Sequence, residues 1–333
     1  MNENYTAVPQ TINGEQVYVL QPNGYGMGQN QIPLQPEGPS KGRKVGTVFL
    51  TLIPWVILQV VQSFALVFVF LYKAGDIIVE AIDRGRIKDP EVLYDVLAES
   101  MGPGMLIYAI VSAIGFGIFY MVKYVDFKEA GKKICNIGWR FWLAALIAVI
   151  GAQTFAQGLA YTVQKIPVID DLMEQIYSNN PVYQAMTTEN MTISMLLALI
   201  VFVPITEELV FRGIAGGMLR KVGHTAKFIM IFTALFFAIA HGNLIQIIYV
   251  AVLGFSEGYI YVKKETIVPT IAMHMLYNLM GSSDLLGQFI EKLPYPSYLF
   301  MMIAGLGIVL GAFFLARSEK KKELPVNEPY AAA

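Results

Sequence analysis

The chain has 333 residues, of which 55% are hydrophobic and 15% charged, with a net charge of −1. A soluble protein ordinarily carries about a quarter charged residues, and the mean hydropathy here is +0.53. An ordinary soluble domain is therefore excluded, and a polytopic membrane protein is predicted, with its charges gathered between long apolar runs. The single cysteine, Cys135, excludes a disulfide framework and a cysteine-rich metal cluster, and reads as an interfacial residue. The near-neutral charge gives no support to a nucleic-acid partner, and none is expected.

Residues 1–43 are rich in Asn, Gln, Gly and Pro and lack a sustained apolar run, so they read as a disordered polar tail in the cytoplasm. They do not have the basic and apolar regions of a signal peptide. Candidate spans follow at about 46–72, 104–123, 139–162, 191–212, 226–242, 244–262, 266–282 and 297–316, judged against the roughly 20 residues that cross a hydrocarbon core. The fifth and seventh are short and carry polar residues. Lys and Arg cluster on alternate connections: Lys41, Arg43 and Lys44; Lys123 to Arg140; Arg220, Lys221 and Lys227; Lys263 and Lys264; Arg317 to Lys322. This bias predicts cytoplasmic placement of those connections. The expected fold is thus all-α, a polytopic membrane helical bundle of about eight transmembrane helices with both termini cytoplasmic. Segment 44–189 holds the first spans and an extracytoplasmic loop, 73–103, with a short amphipathic helix. Segment 283–333 holds the last span and a basic cytoplasmic tail.

The fourth span ends in Glu207, Glu208 and Arg212. Each charge at mid-membrane costs about 2.5–3.5 kcal/mol on insertion scales, so these groups are expected to face the bundle interior and to pair. Glu208 and Arg212 share a helical face at i,i+4 spacing, which leaves Glu207, about 100° away, free for other work. Phe237 and His241 share a face in the fifth span, as do His274 and Asn278 in the seventh. Counted from the nearest basic residues at about 1.5 Å per residue, Glu207, His241 and His274 fall at similar depths, roughly 15–21 Å. A carboxylate and two imidazoles converging there suit two chemistries. They activate a water for attack on a peptide carbonyl, or they hold Zn²⁺ as a His₂Glu set of Glu207, His241 and His274.

In this order, Glu207-Glu208-x-x-x-Arg212, Phe237-x-x-x-His241 and His274-x-x-x-Asn278 resemble the three motifs of the CPBP family, which contains Rce1-type CAAX prenyl endopeptidases and bacterial Abi or bacteriocin-immunity proteins. The resemblance lies in residues 190–282, which it makes the catalytic core. It implies an intramembrane endopeptidase acting on a membrane-associated protein or peptide, by CAAX-type processing or by bacterial leader or peptide maturation. It further implies Glu207 as general base, His241 orienting the water, His274 and Asn278 binding the oxyanion, and Glu208 with Arg212 balancing charge. Family members are described both as metalloproteases and as glutamate-dependent, so Zn²⁺ stays open as the sole cofactor candidate.

Other readings compete. The polar cluster also fits a non-catalytic scaffold or immunity protein, or a transporter's ion site. His224 reads as a surface histidine, and Glu257, six residues from Lys263, as a group that snorkels or pairs. Gly254-Phe-Ser-Glu-Gly258 matches a serine-nucleophile pattern, but that pattern needs a strand-to-helix turn. Inside an apolar helix its glycines are expected to permit close packing.

Overall fold

The computed structural model describes residues 5–12, 15–22, 39–85, 91–171, 191–282 and 284–317. Within the segment expected as a disordered tail, strands β1 (Tyr5–Ile12) and β2 (Glu15–Pro22) form an antiparallel hairpin, with Tyr5 opposite Pro22 and Ile12 opposite Glu15. The rest of that tail lies outside the described residues. Both strands carry β-branched or aromatic residues, and Asn13-Gly14 stands between them in sequence, a dipeptide strongly favoured in two-residue hairpins.

The apolar runs all become helices: α1 (Lys41–Leu50), α2 (Leu52–Asp83), α3 (Glu91–Tyr124), α5 (Trp139–Val163), α6 (Ile193–Lys221), α7 (Ala226–Ala240), α8 (Leu244–Lys264), α9 (Val268–Gly281) and α11 (Tyr295–Arg317). Two shorter helices are α4 (Phe127–Cys135) and α10 (Asp284–Glu291), and residues 167–171 are also helical. Their starts are set locally. Ser40 accepts a hydrogen bond from Arg43 N–H, Asp126 from Lys128 and Glu129 N–H, and Thr225 from Phe228 N–H, so side chains satisfy N–H groups that a helix start leaves unpaired.

Among the described residues, six helices are long and apolar enough to cross a membrane, counting α1 and α2 as one; beyond the β1–β2 hairpin, the protein is a multi-pass membrane bundle of α-helices. The short fifth and seventh spans appear as α7 and α9, of 15 and 14 residues. Loop 73–103 departs from expectation: α2 runs on to Asp83, α3 begins at Glu91, and Lys73 pairs with Glu99 at 3.1 Å between them. A helix of 32 residues is about 48 Å long against a core of about 30 Å, so the expected loop is largely a helical extension of two spans.

Helix α5 is the centre. Of its most apolar window 61% is buried, against 22% for α3 and 17% for α1–α2. Small residues let neighbours approach: a Cβ on Gly151 would meet the Gly305 carbonyl oxygen of α11 at 2.8 Å. Lipid tails are as apolar as a core, so close contact of this kind, more than burial from water, holds such helices together. The outward faces, including Phe64, Phe68 and Leu71, are exposed.

Candidate active site

Helix α6 delivers the carboxylates, and it is not a regular helix. Ala198–Phe202 and Leu209–Ala215 are π-helical. In the first segment Val203 N–H bonds to the Ala198 carbonyl, five residues back. The next donor in that register is residue 204, a proline without an N–H. The Leu199 carbonyl therefore lacks its backbone partner, and the Asn278 side chain supplies one: Nδ2 donates to it at 2.8 Å. Thr206 pins the same stretch to α3, donating to the Ala109 carbonyl at 3.0 Å.

Glu208 and Arg212 pair at 2.5 Å, both fully buried, as their spacing predicts. The Arg212 guanidinium also meets Glu257 at 2.9 Å and the Gly254 carbonyl at 3.3 Å, both on α8, and lies 4.4 Å from the centre of the Phe237 ring. Glu257 is 0% exposed, so it does not snorkel; its pairing partner is Arg212, and it is the site residue whose importance the sequence reading missed. The available signal was its spacing: Gly254 and Gly258 bracket it, and Cβ atoms there would meet the Ala234 and Met230 carbonyl oxygens of α7 at 3.1 and 3.0 Å. The glycines thus seat α8 on α7 and carry Glu257 into the interior. Ser256 donates to the Val252 carbonyl within its own helix.

His274, on α9, links the carboxylates. Its Nδ1 is 3.2 Å from Glu208 Oε1, and its Nε2 is 3.5 Å from Glu207 Oε2. Glu208, paired with Arg212, is an acceptor, so Nδ1 carries the proton and Nε2 faces Glu207. The Glu207 side chain keeps 21% of its surface accessible, whereas Glu208 and Glu257 keep none.

His241 ends α7. Its Nδ1 lies 2.8 Å from the Phe237 carbonyl; a carbonyl only accepts, so Nδ1 carries the proton and Nε2 holds the lone pair. Gly242 then turns the chain at φ +72°, a conformation that favours glycine, and Asn243 caps α8 by accepting from Ile245 and Gln246 N–H. This accounts for the near absence of a loop there. The two imidazoles share one platform, the Phe237 ring, with centroids 4.9 Å (His241) and 5.3 Å (His274) away. His224 is part-buried at the basic end, stacked on Phe228 and near the Lys44 carbonyl.

Ligand atoms of Glu208, Glu257 and His274 lie within 4.8 Å of one another, whereas Glu207, His241 and His274 do not form such a group. Neither set is arranged for Zn²⁺: the first already has Arg212 as the cation between its carboxylates, and the second is too spread for a tetrahedral ion with bonds of about 2 Å.

Residues 189–280 match the family model described as type II CAAX prenyl endopeptidase Rce1-like. That segment, α6 to α9, is an Rce1-like domain of the CPBP/CAAX protease family, as the three motifs suggested. The match covers a little over a quarter of the chain. No curated protein and no solved structure matches the chain.

Proposed function

We propose that the protein is an intramembrane endopeptidase that cleaves a membrane-associated peptide or protein with a water activated by Glu207. The observation that carries the reading is the asymmetry of the carboxylates. Glu208 and Glu257 are fully buried against Arg212, while Glu207 is accessible and faces an imidazole nitrogen at 3.5 Å. One water can bond both Glu207 Oε2 and His274 Nε2, since it reaches about 2.8 Å to each. Glu207 takes the water's proton as the water oxygen attacks the scissile carbonyl carbon. The carbonyl π electrons move to oxygen, and the proton passes to the leaving nitrogen as the C–N bond breaks. The second N–H of Asn278 is left to donate to the oxyanion, while the Nε2 lone pairs of His241 and His274 accept hydrogen bonds. The Rce1-like match supports a C-terminally prenylated CAAX substrate as the first class to try; leader or bacteriocin-related peptides are the alternative class.

The orientation follows the positive-inside rule. Lys44, Lys123, Arg220, Lys221, Lys263 and Lys264 gather at one end of the bundle; Lys221 donates to the Lys123 carbonyl and Lys44 to the Gly223 carbonyl. That end is cytoplasmic, with the start of α1 and the end of α11 beside it.

The test uses purified protein in nanodiscs and a farnesylated CAAX peptide. Glu207→Gln should lower turnover on the order of 10²–10⁴-fold, the usual contribution of a general base, with an unchanged thermal midpoint. Equal turnover in the variant would remove Glu207 from the mechanism. Activity that survives chelators supports the protein-only route; loss restored by added Zn²⁺ assigns the water to a metal.

A further inference from the structure

Glu257 belongs to none of the three motifs, yet it sits among them. Its Oε2 is 2.9 Å from Arg212 Nη2 and its Oε1 is 3.8 Å from His274 Nδ1. Neither oxygen has a hydrogen-bond partner, so Glu257 meets Arg212 by close approach and not by an aligned hydrogen bond. Glu208 and Arg212 already neutralise each other, and a further buried carboxylate is unfavourable unless it does something that the pair cannot.

What it adds is a second helix. Glu208 and Arg212 both stand on α6, one turn apart, so their pairing alone leaves the long arginine side chain free to shift with its own torsions. Glu257 and the Gly254 carbonyl hold the same guanidinium from α8, and the Phe237 ring supports it from α7. A guanidinium held from three helices fixes Glu208 Oε1, the atom that also receives His274 Nδ1–H. We propose that Glu257 is a positioning residue of the hydrolytic site: by clamping Arg212 from α8 it fixes Glu208, and through Glu208 the imidazole of His274 against Glu207. This inference rests on the protease reading for its kinetic consequence and on geometry alone for its structural one.

The experiment compares wild type, Glu257→Gln and Glu257→Asp in nanodiscs, with two readouts. The first is the kcat and KM for the farnesylated CAAX peptide. The second is the imidazole ¹⁵N spectrum, which is tractable because the chain has 3 histidines. Wild-type His274 should show a single Nδ1-protonated form. Glu257→Gln should give a mixture of tautomers and a kcat lower by about 10–100-fold, the scale of a small misplacement at a reacting centre, with KM within about twofold. Glu257→Asp keeps the carboxyl group but withdraws it by one methylene, and should lie between. A variant with the wild-type His274 spectrum and wild-type kcat overturns the proposal, as does a raised KM at constant kcat. If Glu257→Gln does not fold, Glu257→Asp carries both readouts. If wild type cleaves no peptide, the protease reading fails, and the His274 spectrum decides the role of Glu257 by itself.

Discussion

Asn278 makes a contact between helices that can be measured without any substrate. Its amide satisfies the Leu199 carbonyl that Pro204 cannot serve. Asn278→Leu should therefore destabilise the protein by about 1 kcal/mol, the usual scale of a polar contact between membrane helices. In the background Pro204→Ala, which restores a backbone N–H, the same change should cost less. Equal losses in both backgrounds in a thermal-unfolding double-mutant cycle would show that the proline is not the reason for the contact. The sequence made part of this residue-scale picture legible. The i,i+4 spacing of Glu208 and Arg212 led directly to their pair, because helical geometry fixes that neighbour relation. Glu257 was not legible in the same way. Its nearness to Lys263 suggested snorkelling, and only the seating of α8 on α7 through Gly254 and Gly258 turns it inward. The meeting of Glu207 with His274 rather than with His241 likewise depends on how four helices pack, which depth counting along each helix cannot supply.

At the scale of elements, helix existence was readable from apolar runs, while helix ends and irregularities were not. The π-helical stretches of α6 and the extension of α2 beyond the hydrocarbon core leave no mark in hydropathy. The β1–β2 hairpin had a local signal in Asn13-Gly14, hidden by the polar composition around it. One junction carries a pH dependence. Glu265 follows α8 with φ +53° and joins Arg220 of α6 at 3.1 Å and Lys133 of α4 at 3.0 Å. Partial burial pushes its carboxyl up, but Arg220 and then Lys133 outweigh this and hold it below the ordinary carboxylate value. A lowered folded-state value means that the unfolded chain binds the proton more readily. The stabilisation is therefore present above the ordinary carboxylate value and is lost as pH falls through the lowered one. Thermal midpoints should accordingly drop on acidification more steeply in wild type than in Glu265→Gln. Identical slopes would mean that the junction contributes nothing; its partly exposed groups make a small effect the expectation.

The whole molecule is a central helix, α5, ringed by spans whose outer faces are apolar, with an Rce1-like domain supplying the interior charges. Its orientation has a native probe, since Cys135 is exposed at the end of α4 on the basic side. A membrane-impermeant maleimide should label it in inside-out vesicles and not in right-side-out ones; the reverse pattern would invert the assigned topology. The central claim is that an accessible glutamate inside the bundle makes water a nucleophile toward a membrane-associated peptide. The most direct measurement compares the membrane and released peptides of cells carrying wild type with those of cells carrying Glu207→Gln at equal protein levels. The account predicts new peptide termini that are present with wild type and replaced by the uncut precursor with the variant. An identical set of termini in both would contradict it.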